Sequence, residues 1–225
     1  MKRSVIAIAL AFVAATALLA QESPSPSARE PWKLLVFPIG APGMEEQINE
    51  EVANGYMPVG VELEPGESLS VLLVQSGETE VDSWVISDHA DWNALEDEIT
   101  QGLTAGLVPM DISRVEDALV ILWVRASIPV TGWRLHTAAN TISDRARATN
   151  QFQSEGFTLW GISVYEDLAW FLFLKQPESQ RAGTTSVYRK ATGAITDGIV
   201  RSSEDGWLPI GLAATLDDYY VAYVR

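Results

Sequence analysis

The chain contains only two histidines, His89 and His136, and no cysteine. Histidine is the side chain that most often acts as a base near neutral pH, so these residues are the first candidates for acid–base chemistry. Ser87, Asp88 and His89 have the residue types of a hydrolase triad. Adjacent residues in a strand or turn cannot face one another as nucleophile, base and orienting acid, and the chain has no Gly-x-Ser-x-Gly elbow. The sequence therefore assigns no catalytic residue.

Pairs of acidic residues recur along the chain and have the chemistry to bind a hard cation. They are Glu116-Asp117, Glu166-Asp167 and Asp217-Asp218. Calcium takes oxygen ligands, but no EF-hand or nonapeptide motif surrounds these pairs, and adjacent acids in a hairpin usually form a solvated turn. Catalytic zinc is disfavoured because the chain lacks cysteine and a His-Glu-x-x-His helix. We expect no metal ligand and no cofactor, and calcium binding at the acidic turns stays open.

The 30 acidic residues and eight tryptophans do not single out a polymer-cleaving or sugar-binding site. A glycosidase needs two carboxylates at a set separation across a cleft, and with this many acids no pair stands out. Trp32, Trp84 and Trp133 recur in equivalent early segments, which favours a role in packing. Trp92, at the start of a predicted helix, is the tryptophan we most expect near the surface.

A pattern of glycine, large apolar residue, proline or leucine and alternating apolar residues occurs four times. Its anchoring glycines are Gly55, Gly106, Gly156 and Gly206, at spacings of 51, 50 and 50 residues. A fixed period of this length is typical of repeat architectures. We therefore predict four repeats, at 32–80, 81–127, 128–178 and 179–225.

Each repeat is predicted to have the order β-α-β-β. In the first, strand-forming residues at 32–37 precede a helix at 44–54, with Met44, Ile48 and Val52 on one face and glutamates on the other. Gly55 ends that helix, and strands follow at 57–63 and 69–75. The same patterns predict strands at 84–86, 107–113, 118–125, 132–136, 157–164, 168–175, 185–190, 207–213 and 219–225, and helices at about 91–105, 143–155 and 194–204.

The last strand of each repeat is apolar on both faces, as in 120–124 and 170–174. Such a strand is buried on both faces, so we expect it at the centre of a three-stranded antiparallel sheet with the helix on one face. The fold is therefore predicted as α+β, with repeats packed pairwise or as one continuous stack. Trp123, Phe173 and Tyr223 share one strand face, which we expect to lie between repeats. An alternative fold is a paired-module barrel like that of vicinal-oxygen-chelate proteins.

The order of tryptophan-led strand, acidic helix, glycine followed by an aromatic residue, apolar strand and closing strand with a basic end resembles a bacterial family of short domains of unknown function. That family carries a Gly-Trp-Glu-Leu-Val-like segment. Residues 206–211 and 219–225 carry the resemblance best, whereas Tyr56, Leu107 and Phe157 replace the tryptophan elsewhere. Because the family has no known activity, the resemblance implies a fold and no catalytic residue.

The N-terminal segment predicts export. Lys2 and Arg3 precede an uncharged apolar run at 4–20, and a Ser/Pro-rich linker follows at 21–31. This is the order of a secretory signal peptide, with an uncleaved anchor as the alternative. Loss of residues 1–20 changes the formal charge from −15 to −17. Such acidity disfavours nucleic acid as a partner.

Export, repeats and the absence of a catalytic motif favour a non-enzymatic binding or scaffold module, located in the periplasm or secreted. Its partner would be an unknown protein or envelope component, without stable membrane insertion after cleavage of the signal. The alternative is a hydrolase acting on an extracytoplasmic polymer, with acidic catalytic residues at a repeat junction. The sequence names no ligand and no oligomeric state.

Overall fold

The computed structural model describes residues 30–64, 68–77, 79–89, 94–116, 118–177, 186–190, 195–214 and 219–225. The signal peptide expected at 1–20 and most of the linker expected at 21–31 lie outside these ranges. Within them, no helix combines the length and the apolar character needed to cross a membrane.

The order strand, helix, strand, strand recurs four times along the described chain. The strands are β1 Trp32–Pro38, β2 Tyr56–Glu64, β3 Ser68–Gln75, β4 Val81–His89, β5 Val108–Val115, β6 Ala118–Ala126, β7 Gly132–Ala139, β8 Thr158–Tyr165, β9 Leu168–Lys175, β10 Ser186–Lys190, β11 Leu208–Ala214 and β12 Tyr219–Val224. The helices are α1 Met44–Ala53, α2 Leu95–Thr104, α3 Ile142–Ser154 and α4 Ile195–Glu204.

The described strands form four antiparallel sheets of three strands each. The strand orders are β1-β3-β2, β4-β6-β5, β7-β9-β8 and β10-β12-β11, which we number sheets 1 to 4. The α+β class and the central position of each closing strand are confirmed. A doubly apolar strand takes this position because both its faces and both its edges are covered.

Each of the four described helices ends two residues before one of the anchoring glycines of the sequence pattern. Gly55, Gly106, Gly156 and Gly206 have φ between 77° and 88°, as predicted for residues that close a helix in the left-handed conformation. This reversal sends the chain from the helix directly into the second strand of the same sheet.

Trp123, Phe173 and Tyr223 pack under the helix of their own sheet, so the expectation that they lie between repeats was wrong. The ring centroid of Phe173 in β9 is 4.7 Å from that of Phe152 in α3. A Cβ added to Gly102 of α2 would come within 2.5 Å of the Trp123 ring. A helix stands well away from a sheet surface, and large side chains are needed to fill that space.

The second strands β2, β5, β8 and β11 bring the four sheets together. Each is an edge strand of its own sheet, which explains why Pro58, Pro109 and Pro209 are tolerated there. Strand β2 contacts β5 and β11, and β8 contacts the same two strands. The contacts between sheets therefore form a closed ring and do not divide the sheets into two separate pairs.

Side chains of one helix also contact the first strand of the next sheet. The indole Nε1 of Trp84 in β4 donates to Asn49 Oδ1 of α1 at 2.8 Å. In α3, the buried guanidinium of Arg145 lies 5.3 Å from the ring centroid of Tyr188 and 4.5 Å from that of Tyr220, both in sheet 4. Each of these helices therefore contributes to the contact between two sheets.

We expect Phe152 and Phe173 to be energetically coupled because their rings are in contact. A double-mutant cycle with leucine substitutions should give a coupling of about 0.5–1.5 kcal/mol in urea unfolding. The control cycle pairs Phe152 with Trp170, which points to the opposite face of β9, and should give a coupling near zero. Equal coupling in the two cycles would contradict the assignment of the strand faces.

Candidate functional site

The most unusual polar group of the described chain is the carboxylate of Asp111, which is completely buried. Asp111 lies five residues after Gly106 in β5, and the residues five places after the other anchoring glycines are Gly60, Gly161 and Gly211. At each of these positions the pairing register with the closing strand shifts, as in a β-bulge. One aspartate thus occupies a position that is glycine in the other three sheets.

Four backbone N–H groups, one from each sheet, donate to this carboxylate. Val61 N–H and Leu212 N–H donate to Oδ2 at 3.1 and 3.0 Å. Ile112 N–H and Ile162 N–H donate to Oδ1 at 2.9 and 3.2 Å. We call this carboxylate and its four donors the axial site. Each oxygen has two donors, so the hydrogen-bonding capacity of the group is filled.

The charge of Asp111 is set by two opposing effects. Burial raises the pKa of its carboxyl group well above the ordinary value, and the four N–H bonds lower that pKa only in part. A proton could bind either oxygen only by displacing one of the N–H donors, because both oxygens already accept two bonds. The hydrogen-bond pattern is therefore that of the ionised carboxylate, and on this geometry we assign Asp111 as an anion although burial raises its pKa.

Glycine is required where the second strands approach the axial site. A Cβ on Gly161 would lie 2.5 Å from Asp111 Oδ1 and 2.9 Å from Asp111 Cα. A Cβ on Gly211 would lie 2.7 Å from the carbonyl oxygen of Trp160. Real Cβ atoms do not approach other heavy atoms this closely. The glycines thus let four strands close around one aspartate side chain.

A second set of backbone-to-side-chain bonds lies two residues further along the same strands. In each bond, the N–H group of one second strand donates to a side chain of a neighbouring second strand. The pairs are Leu63 N–H to Ser113 Oγ at 2.9 Å, Arg114 N–H to Ser163 Oγ at 2.8 Å, and Ala214 N–H to Glu62 Oε1 at 2.7 Å. These bonds satisfy edge-strand donors that the closed ring removes from water.

Glu62 is the second completely buried carboxyl group of this region. Burial raises the pKa of Glu62 well above its ordinary value, while the bonds from Ala214 and Ser113 lower that pKa and the nearby acids Asp111 and Glu64 raise it further. Its Oε2 atom has no hydrogen-bond partner. Unlike Asp111, Glu62 has an oxygen free to carry a proton, and we assign it as the neutral acid.

Two open grooves lie between a helix and the first strand of the same sheet. The groove of sheet 2 has a volume of about 310 Å³, with Trp123, Val85 and Leu107 among its walls and Glu98 and Gln101 also lining it. The groove of sheet 3 has about 350 Å³ and a more polar lining that includes His136, Asp144, Arg147 and Gln151.

A cationic side chain lies over an aromatic ring in the corresponding regions of sheets 1, 3 and 4. In sheet 1, Lys33 pairs with Glu51 at 2.6 Å and lies 4.6 Å from the ring centroid of Tyr56. In sheet 3, the Arg134 guanidinium lies 5.4 Å from the ring centroid of Phe157. In sheet 4, the Arg189 guanidinium lies 4.8 Å from the ring centroid of Trp207. Sheet 2 has Val85 and Gly102 where sheet 1 has Lys33 and Glu51, and these smaller uncharged residues leave its groove open.

Of the three triad-like residues, the structure describes the side chains of Ser87 and Asp88. Ser87, Asp88 and His89 are consecutive in β4, and the Ser87 hydroxyl accepts a bond from Trp123 Nε1 at 2.7 Å. The side chain of His89 and the residue Trp92 lie outside the described part of the chain. His136 is half-buried against Phe152, and burial lowers its pKa.

The acidic turns are only partly described. Glu116 and Glu166 have φ of 54° and 51° and form the tight hairpin turns that were expected at these positions. Asp117 and the pair Asp217-Asp218 lie outside the described residues. Within the ranges that the structure covers, no three His, Asp or Glu side chains come close enough together to hold a metal ion.

Asp111 and Glu62 were not identified from the sequence. The available signal was the alignment of the four predicted repeats, in which Asp111 replaces a glycine and Glu62 aligns with Ser113, Ser163 and Ala213. A charged residue at a position that is otherwise glycine indicates a side chain with a specific partner. The partner, four backbone N–H groups from different sheets, becomes visible only in three dimensions.

No protein-family model matches this chain, and a search of curated proteins returned no match.

We expect Gly161→Ala to destabilise the protein by about 1–3 kcal/mol or more, because the added methyl group overlaps Asp111 and its strand. Gly132→Ala is the matched control, since its Cβ would lie 3.6 Å from the nearest atom, an ordinary contact. That control should be neutral or stabilising by up to about 1 kcal/mol. Urea unfolding of both variants measures the difference, and equal losses would contradict the close approach of β8 to Asp111.

We expect the free energy of unfolding of the Glu62→Gln variant to depend less on pH than that of the wild type. Since the folded-state pKa of Glu62 is raised, the native state binds the proton more tightly than the unfolded state. The contribution of Glu62 is therefore most favourable below its unfolded pKa of about 4.3 and is lost as pH rises through the folded pKa. The free energy of unfolding of the wild type should change with pH more steeply than that of the variant, by at most about 1.4 kcal/mol per pH unit. Parallel curves for wild type and variant would contradict the assignment.

Proposed function

We propose that this protein is an exported, non-enzymatic repeat protein that acts as a binding or scaffold module in the periplasm or outside the cell. The observation that carries the proposal is the use of the two completely buried carboxyl groups among the described residues. Asp111 and Glu62 both bond to backbone N–H groups at the junction of the four sheets. Because both groups have no exposed surface, a substrate cannot reach them.

We further propose that the four sets of strand, helix, strand and strand are tandem copies of one unit. The equal glycine spacing, the common strand order and the register shift at the same position of every second strand support this. The resemblance to a bacterial family of short domains of unknown function fits the same proposal. Each unit contributes one N–H donor to Asp111, so the four units complete one common interior.

The open groove of sheet 2 is the proposed binding surface. It occurs at a place where sheet 1 carries Lys33 with Glu51, and where the cations Arg134 and Arg189 of sheets 3 and 4 lie over aromatic rings. In a repeat protein, positions that differ between otherwise equivalent units can serve function, whereas the shared positions serve packing. Val85 is 44% exposed beside the sheet 2 groove, which suits an apolar segment of a protein partner.

The proposal is tested by placing a photo-crosslinking amino acid at Gln101, which lines the sheet 2 groove. The control position is Glu50, the equivalent position of α1 in sheet 1. In intact cells that produce the protein, we expect position 101 to give a discrete adduct on a chain that has lost residues 1–20. Position 50 should give less of this adduct, and Val85→Glu should abolish it, because a charge in the groove opposes apolar docking.

Two outcomes would contradict the proposal. A chain that keeps its N-terminal segment and remains in the cytoplasm would contradict export. Adduct yields that are equal at positions 101 and 50, or that survive Val85→Glu, would contradict binding at the groove.

A further inference from the structure

The axial site has the properties of an anion receptor built from backbone amides. Four N–H groups converge on two oxygen atoms, and each N–H carries a partial positive charge that favours an anion. Converging backbone N–H groups of this kind bind phosphate, sulfate and carboxylate ions in many proteins. Here the anion is supplied by the side chain of Asp111.

Most of the receptor is independent of the strand that carries Asp111. Of the four donors, only Ile112 is a chain neighbour of this residue, while Val61, Ile162 and Leu212 belong to sheets 1, 3 and 4. The three other sheets bring their strands to the same place with glycine, so the strand geometry does not require a side chain at this position.

We propose that the axial site is an anion-binding site with Asp111 as its tethered ligand, and that it binds a free small monocarboxylate when this side chain is removed. The replacement Asp111→Gly would place glycine at the equivalent position of all four sheets. The emptied space would still be faced by four N–H groups, three from the other sheets and one from Ile112. Each of these N–H groups would have lost the carboxylate oxygen to which it donates in the wild-type protein.

The size of the enclosure selects among ligands. Asp111 has no exposed surface, and a Cβ at Gly161 would lie 2.5 Å from Oδ1, so the walls fit closely around the carboxylate. Formate has a carboxylate and no further heavy atom, so it should bind best. Acetate should bind more weakly, and propionate should not bind.

The charge of the ligand also matters, because four donors face the two oxygens. Formamide has nearly the shape of formate but is neutral and presents N–H donors of its own. Placing donors against donors leaves buried polar groups unsatisfied. Formamide should therefore not replace formate.

The test compares melting temperatures of wild type, Asp111→Gly and Asp111→Asn in sodium formate and in sodium chloride at equal ionic strength. The asparagine variant keeps the side-chain volume and leaves no room for formate. We expect the glycine variant to melt well below wild type in chloride. Saturating formate should raise its melting temperature by at least about 3 °C beyond the shift seen with wild type or the asparagine variant.

Every other outcome overturns the proposal. Equal formate shifts in all three proteins would indicate a general salt effect. A glycine variant as stable as wild type in chloride would mean that the four N–H groups need no anion. A glycine variant that stays unfolded after refolding in formate, or that formamide stabilises equally, would mean that a free carboxylate cannot replace Asp111.

Discussion

The structure depends on one problem of hydrogen bonding, which is how four edge strands can meet in a dry interior. A buried N–H group without an acceptor costs about 1–3 kcal/mol, and the second strands bring four such groups together. One carboxylate accepts all four bonds, two on each oxygen. Asp111 thereby converts the exposed edges of four small sheets into a shared core.

This solution explains why the four sheets differ at equivalent positions of their second strands. The enclosure has room for one side chain, since Gly161 and Gly211 already lie in contact with adjacent backbone. Aspartate at all four positions would overfill the space and bring four like charges together. A single chain can place one aspartate among three glycines, whereas an assembly of four identical subunits cannot. The bonds two residues further along these strands also satisfy edge-strand N–H groups with side chains. Glu62, Ser113 and Ser163 each accept a hydrogen bond from a backbone N–H group of a neighbouring second strand.

The sequence predicts the elements better than their assembly. Local signals, such as Gly55 after an amphipathic helix and the doubly apolar run at 170–174, give the element order and the central strands correctly. The assignment of Phe173 to a contact between repeats was wrong because strand alternation does not tell which face a helix covers. Asp111 was missed because its donors Val61 and Leu212 are 50 and 101 residues away, and no local pattern encodes bonds of that range.

The most direct test of this account is amide hydrogen exchange of Val61, Ile112, Ile162 and Leu212, followed by NMR in the wild-type protein. If one carboxylate holds the four sheets together, these four N–H groups should exchange at a common slow rate, and only through global unfolding. Faster exchange of any one of them through a local opening, with the other three still protected, would contradict the account. It would show that the sheet in question is not held by Asp111.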